Sequence, residues 1–390
     1  MKNIKRIAGT AAKLSAITTL TLLFSACSGF FDKDNTPDPS PLVKFTPEVK
    51  THSQWQTSAG NDVGNDYLKL TPAITDRAIF TSSYDGDVVS TDKLTGKSNW
   101  HANAGVHITG GTAAQDGLVF VGSREGDVIA LQQSNGKPAW RAKVSSEVLA
   151  APAASNGVVL IKTIDGKLSA LSAQDGHELW LYQEAEPLLI LRGASTPKIS
   201  GNNVIVGFAN GSLSRLTLHE GSQHWHQAIA IPEGSFAIQR MIDIDADPII
   251  FKNRIYAATY QGKVASLDMT TGKQHWDHDI SSYTGLVADN DKVYVSDAKG
   301  HVWAFEANSG NVFWRQNQLE YRNISGPALI GNYLVVGDGE GYLHFLNKQD
   351  GHFVARVHVD GSGILAAPIV DNNVIYVFTK GGRLAAYTLG

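Results

Sequence analysis

The sequence predicts an all-β protein, an eight-bladed β-propeller built from four-stranded antiparallel blades. Three observations predict it. A turn glycine is followed ten residues later by a second glycine at Gly86/Gly96, Gly126/Gly136, Gly166/Gly176, Gly211/Gly221, Gly262/Gly272, Gly300/Gly310 and Gly341/Gly351. A tryptophan stands four residues past the second glycine in all but the last of these, at Trp100, Trp140, Trp180, Trp225, Trp276 and Trp314, with Ala355 in the seventh. The position two past the first glycine is Val or Leu throughout: Val88, Val128, Leu168, Leu213, Val264, Val302, Leu343 and, in a truncated last copy, Leu384. A repeat of about 38–51 residues of this kind is the signature of propeller blades.

Each unit reads as a set of short strands. Apolar runs such as Leu118-Val119-Phe120-Val121 and Leu334-Val335-Val336 precede the first glycine, and alternating apolar residues such as Leu168 and Ala170 follow it. Period-two alternation bounded by turn residues is the pattern of a strand. The pairs Asp85-Gly86, Asp165-Gly166, Asn135-Gly136 and Asp175-Gly176 supply the positive φ that tight hairpins require. The last repeat reaches Gly382 and a strand Arg383–Leu389, then ends before its second glycine and tryptophan. At the other end, Thr46–Trp55 terminates in a tryptophan without a repeat of its own. The N-terminal strand is therefore expected to complete the last blade and close the ring, which removes the sheet edges of an open array.

Residues 1–26 have the composition of a signal peptide: Lys2, Lys5 and Arg6, then an apolar stretch Leu14–Phe24, then the small residues Ser25-Ala26 before Cys27, the single cysteine. The ending Leu22-Leu23-Phe24-Ser25-Ala26-Cys27 resembles a bacterial lipobox, which makes Cys27 the expected site of lipidation and the mature N-terminus. Ser28, rather than Asp, after the cysteine implies delivery to the outer membrane. Residues 27–45, rich in Asp, Pro and Ser, are expected to form a flexible lipidated tether. The propeller is expected over 46–390, and the whole is lipid-anchored to the membrane.

Composition excludes several functions. Formal net charge is −4 and falls to about −8 without the four cations of the signal peptide, so no nucleic acid is expected as a partner. The histidines show no metal-ligand spacing; His224-Trp225-His226 alternates along a strand as solvated outer residues would. A lone cysteine excludes a vicinal disulfide or a thiolate metal site, and no Gly-x-Ser-x-Gly occurs in a nucleophile-elbow context. No catalytic, cofactor or metal site is expected.

The repeats are not uniform. The interval from one tryptophan to the next first glycine grows in Trp180–Gly211 and again in Trp225–Gly262. In an up-and-down blade all outer-to-inner connections emerge on one face, so the two enlargements are expected side by side, where repeat proteins commonly bind partners. The first carries Glu186-Pro187-Leu188-Leu189-Ile190-Leu191-Arg192-Gly193, the second Met241-Ile242-Asp243-Ile244-Asp245-Ala246-Asp247. Leu189, Leu191, Arg192, Asp243 and Asp245 are the candidate partner-binding residues. Apolar anchors beside an arginine suit a protein–protein hot spot. The alternative is that the leucines pack under their own loop while Arg192 pairs with Asp243 or Asp245 to brace it.

Two resemblances bear on function. Segments such as Ser90-Thr91-Asp92-Lys93-Leu94-Thr95-Gly96-Lys97-Ser98-Asn99-Trp100 resemble the tryptophan-docking motif of quinoprotein dehydrogenases, which implies the fold; a quinone-cofactor dehydrogenase is one alternative function and a cell-wall glycan-binding propeller another. Lipobox, tether, repeats, Leu-x-Leu-Arg-Gly, Asp-x-Asp and the segment Gly337-Asp338-Gly339-Glu340-Gly341-Tyr342-Leu343-His344 together resemble the B-lipoprotein (BamB) family of the outer-membrane barrel-assembly machinery. That resemblance implies a noncatalytic scaffold that binds the periplasmic domains of the central barrel subunit (BamA). It further implies that the scaffold assists insertion of outer-membrane proteins, with nascent chains as further candidate partners. It implies that Leu189, Leu191 and Arg192 in the first motif, and Asp243 and Asp245 in the second, form the partner site.

Overall fold

The computed structural model describes residues 37–61 and 67–390. Cys27 and the signal sequence lie outside the described residues. Eight four-stranded antiparallel sheets follow one another from residue 39 to the C-terminus. Blade one comprises Ala73–Ile74, Ala78–Ser82, Asp87–Asp92 and Ser98–Asn103, and the innermost strands of blades two to seven are Ile108–Gln115, Ala153–Ser155, Lys198–Ser200, Ile249–Phe251, Gly285–Ala288 and Ala328–Ile330. Blade eight consists of Ile369–Asp371, Val374–Phe378, Arg383–Leu389 and, as its outer strand, the N-terminal Thr51–Ser58. Thr51 faces Leu389 and Ser58 faces Arg383, so the expected closure is the observed one.

The tryptophans lock each blade to the next. Trp100 donates its indole N–H to the carbonyl of Gln133 at 2.7 Å, Trp140 to Ala173 at 2.8 Å, Trp180 to Leu218 at 2.9 Å, and Trp314 to Lys348 at 2.9 Å. The ring of Trp100 lies against Gly136, where an added Cβ would sit 2.6 Å from it. The second glycine of each repeat thus serves the tryptophan of the preceding blade, in addition to the turn. Trp55 closes the cycle, donating to the carbonyl of Lys93 at 3.2 Å and covering Gly96. Ala355 has a physical reason. Blade eight draws its third and outer strands from opposite chain ends and has no turn between them, so blade seven faces no receptor for an indole.

Direction of the strands assigns every loop to a face. Outer-to-inner connections and the turns between second and third strands emerge together on what we call the connection face. Gly86 shows the contact: an added Cβ would meet the Val106 carbonyl at 2.6 Å, and its own φ is 96°. The apolar core lies between blades, in clusters such as that of Ile205, Leu213, Ile244, Ile255 and Leu267.

Part of the segment expected as tether is held by the propeller. Ser40 donates its amide to the Glu320 carbonyl at 2.9 Å, Phe45 stacks on Phe353 at 5.6 Å, and Glu48 donates to the Val354 carbonyl at 2.9 Å. Composition pointed to a spacer through residue 45. Val43 and Phe45 instead pack against a buried cluster that includes Trp314, Leu334 and Phe353.

Candidate functional site

The connections 184–197, from blade three to four, and 229–248, from blade four to five, are in direct contact on the connection face. Their division of labour differs from a simple pair of exposed motifs. Met241–Ala246 is buried at every position and forms a shelf beneath the first connection. Asp243 is 1% exposed and accepts the Leu191 amide on Oδ1 at 2.8 Å. Asp247 accepts the Thr196 amide at 2.7 Å and pairs with Lys198 at 3.0 Å. Gly193 is required by close approach: an added Cβ would lie 2.7 Å from Asp245 Oδ2. The Asp-x-Asp segment therefore sets the course of the Leu-x-Leu-Arg-Gly segment.

What the shelf supports is exposed. Leu188 is fully exposed and Leu189 is 43% exposed, while Leu191 is half-buried. Arg192 is exposed and pairs with Glu147, on the connection from blade two to three, at 2.8 Å. Asp243 and Asp245, considered from sequence as its pairing partners, are instead buried below. The second connection contributes Ile231, Phe236 and Ile238, exposed by 78%, 69% and 64%. Phe236 and Ile238 ride on a short 3-10 turn, Ala237–Arg240, whose Gln239 Oε1 accepts the Ser235 and Phe236 amides. Sequence reasoning missed these three residues and Glu147. The signal for Phe236 and Ile238 was present as bulky apolar residues in a segment without strand alternation.

Beside this ridge opens a cavity of about 290 Å³, lined by Leu191, Arg192, Leu149, Asp245, Lys69 and three tyrosines, Tyr67, Tyr260 and Tyr283. The tyrosines meet edge to face, with Tyr283 6.2 Å from Tyr67 and 6.1 Å from Tyr260. A second cavity of about 400 Å³ follows the inner strands and shares Lys69 and Asp245 with the first. The electrostatics are strained by burial. Desolvation first, and then the nearby charge of Asp245, push the Asp243 carboxyl up to about 7. Burial also raises Asp245 and Glu186, against the pull of lysines, and lowers Lys69 and Lys162. Asp243 Oδ2 and Glu186 Oε2 are buried without a hydrogen-bond partner. Among the described residues no group of three or more His, Cys, Asp or Glu is arranged to hold a metal.

A closed propeller with one elaborated face, apolar ridge and adjoining cavity defines the class: a β-propeller whose distinctive surface is carried by connections rather than by the blades. The chain belongs to the BamB family of outer membrane protein assembly factors. A profile described as "Outer membrane protein assembly factor BamB" matches residues 84–316 and 308–389. The protein of that name from Pseudomonas aeruginosa is 43% identical over 377 residues, spanning 97% of this chain and 99% of the relative. The crystal structure of BamB from Moraxella catarrhalis superposes with a TM-score of 0.80 at 28% identity, over 87% of this chain and all of that one. Quinohemoprotein alcohol dehydrogenase from Comamonas testosteroni shares the fold, with a TM-score of 0.69 at 14% identity over 86% of this chain and 76% of its own.

Proposed function

We propose that the ridge formed by connections 184–197 and 229–248 is the surface through which this chain binds the periplasmic domains of the central barrel subunit (BamA). Membership of the family makes the protein a scaffold lipoprotein of the outer-membrane assembly machinery, held on the periplasmic side of the outer membrane. The observation that carries the binding surface is the concentration of exposed apolar side chains, Leu188, Leu189, Ile231, Phe236 and Ile238, on two connections that touch. Large exposed apolar surface on a folded domain favours an interaction site.

Residue roles follow from position. Leu189 and the exposed residues of the second connection bury against the partner, and Leu191 lines the entrance of the cavity. Arg192, exposed and paired with Glu147, adds a guanidinium to the same surface. Asp243 acts indirectly, through the Leu191 backbone. Asp245 presents a carboxylate to the cavity, where a donor from the partner would relieve its burial. Cys27 carries the lipid in this reading, and anchoring raises the effective concentration at the machinery. Metabolic labelling with a fatty acid tests the anchor: label is expected on the parent chain and lost in Cys27→Ser, and label retained by the variant contradicts the assignment. For the surface, pull-down from solubilised outer membrane is expected to recover the central subunit with the parent chain, and to lose it with Leu189→Ala/Arg192→Ala.

A further inference from the structure

The segment Gly337–His344, which lies two blades away from the proposed binding ridge, contains a buried carboxylate whose hydrogen-bonding capacity is filled. Asp338 is 0% exposed and accepts four hydrogen bonds. Its Oδ1 takes the amides of Glu340 at 3.0 Å and Tyr342 at 2.9 Å. Its Oδ2 takes Arg322 Nε at 2.8 Å and His344 Nε2 at 2.8 Å. His344, fully buried, accepts Arg356 Nε on Nδ1 at 3.1 Å. That pattern fixes a neutral imidazole with its proton on Nε2.

Both arginines at the ends of this chain of bonds turn outward to the same object. Arg322 Nη1 donates to the Ser40 carbonyl at 2.9 Å, and Arg356 Nη1 donates to the Val43 carbonyl at 2.9 Å. The Arg356 guanidinium lies over Phe45 at 5.0 Å and Phe353 at 5.3 Å, while those two rings stack on each other. Ser40 also bonds the carbonyls of Gln318 and Glu320, in the connection from blade six to seven. Downstream, Lys50 exchanges backbone hydrogen bonds with Gly390, where the outer strand of blade eight begins. Residues 40–50 thus run along the propeller from the connection face to the opposite face, and the chain departs toward its N-terminus at the connection face.

We propose that the Gly337–His344 turn is a latch for the N-terminal segment: through Arg322 and Arg356 it clamps Ser40–Phe45, so that the chain leaves toward its anchor from the face that carries the binding ridge. The occupant of the latch is this chain's own strap. The consequence for anchoring rests on lipidation of Cys27; the latch itself does not. With the strap clamped, the stretch between Cys27 and Ser40 reaches at most about 45 Å. Release as far as Lys50 adds about 35 Å and turns the connection face loose from the anchor point. A short leash raises effective concentration at a nearby partner, and a longer one dilutes it.

Amide hydrogen exchange read by mass spectrometry on the purified full lipoprotein in detergent tests the latch. Peptides covering 40–49 are expected to be protected in the parent chain. Arg356→Met is expected to speed their exchange at least tenfold while peptides from blades two to five keep their rates. Phe45→Ala, which leaves the buried network intact, is expected to do the same from the strap side. It decides the question if Arg356→Met exchanges faster throughout. A strap unprotected in the parent, or protection unchanged in Phe45→Ala, overturns the proposal. Both readouts hold whether or not Cys27 carries lipid, so failure of the latch and failure of the anchor are distinguishable.

Discussion

Two acidic clusters are associated with the connection face, and they are built in opposite ways. In the seventh blade, Asp338 has four donors, two guanidinium groups share its network, and the ring of contacts is closed over by the strap. In the blade-four-to-five connection, Asp243 has one oxygen satisfied and one buried without a partner, and Asp245 faces two cavities. Burying a charge is tolerable when its hydrogen-bonding capacity is filled and costly when it is not. In the first cluster the carboxylate is saturated within the chain, and the one buried atom left without a partner is Nη2 of the cation Arg356. In the second the unsatisfied atom is a carboxylate oxygen, on the connection that also carries exposed Ile231, Phe236 and Ile238.

Changes that spare neither region set the scale. Deleting Thr51–Ser58 removes the outer strand of blade eight, the Trp55 dock on Gly96 and the ring closure together. Thermal denaturation of the truncated chain is expected to show the largest loss of any variant here, with both clusters affected alike; an unchanged melting temperature would contradict the closure as the fold's keystone.

The clusters themselves separate next. Asp338→Leu takes from Arg322, whose side chain is 2% exposed, one of its two carboxylate partners, leaving Glu340, and takes from buried His344 its acceptor, so a loss of about 3 kcal/mol is expected in urea denaturation. Asp245→Asn, by contrast, removes a buried carboxylate with no hydrogen-bond donor among the described residues and only the nearby charges of Lys69 and Lys162 to balance it, so a loss well below that at Asp338 is expected. Equal losses at the two sites would erase the distinction. At the ridge, Leu189→Ala, Leu191→Ala and Arg192→Ala are each expected to weaken partner binding by roughly 1–3 kcal/mol with the fold intact by circular dichroism. Their combinations are expected to be non-additive, because they are neighbours on one surface.

The smallest effect is a change in pH dependence. Asp243 holds its proton up to about 7 in the folded chain, whereas an exposed aspartate loses it near about 4. The folded state therefore binds the extra proton between these values, and this contribution to stability is fully present below about 4 and lost as pH rises through about 7. The groups around it, Asp245 and Glu186, carry the same sign and oppose its ionisation. Asp243→Asn keeps an oxygen for the Leu191 amide and cannot ionise. Its melting temperature is expected to vary less between pH 4 and 8 than that of the parent, and to match or exceed it at pH 8.

The blades were legible because their determinants are local and repeated. A glycine at a positive-φ turn and a tryptophan at fixed spacing encode the same dock seven times around the ring, and the missing tryptophan at Ala355 marks the place where the chain ends meet. The enlarged connections were legible as a break in that period. What Arg192 pairs with was not, because Glu147 lies on another blade's connection and no spacing rule relates them. Burial of Asp243 and Asp245 was equally hidden, since carboxylates on an enlarged connection carry no sign of burial in the sequence, and the structure buries both. The strap was misread for a general reason: proline- and aspartate-rich composition reports the inability to form a core, and says nothing about a groove supplied by Arg322, Arg356 and Phe353.

The central claim is that the ridge, and not the blades or the latch, recognises the partner. Isothermal calorimetry of the folded Leu191→Ala/Arg192→Ala chain against the isolated periplasmic domains of the central subunit tests it most directly. The account predicts binding weakened at least tenfold relative to the parent, with unchanged circular dichroism. Parental affinity in the folded double variant would contradict it.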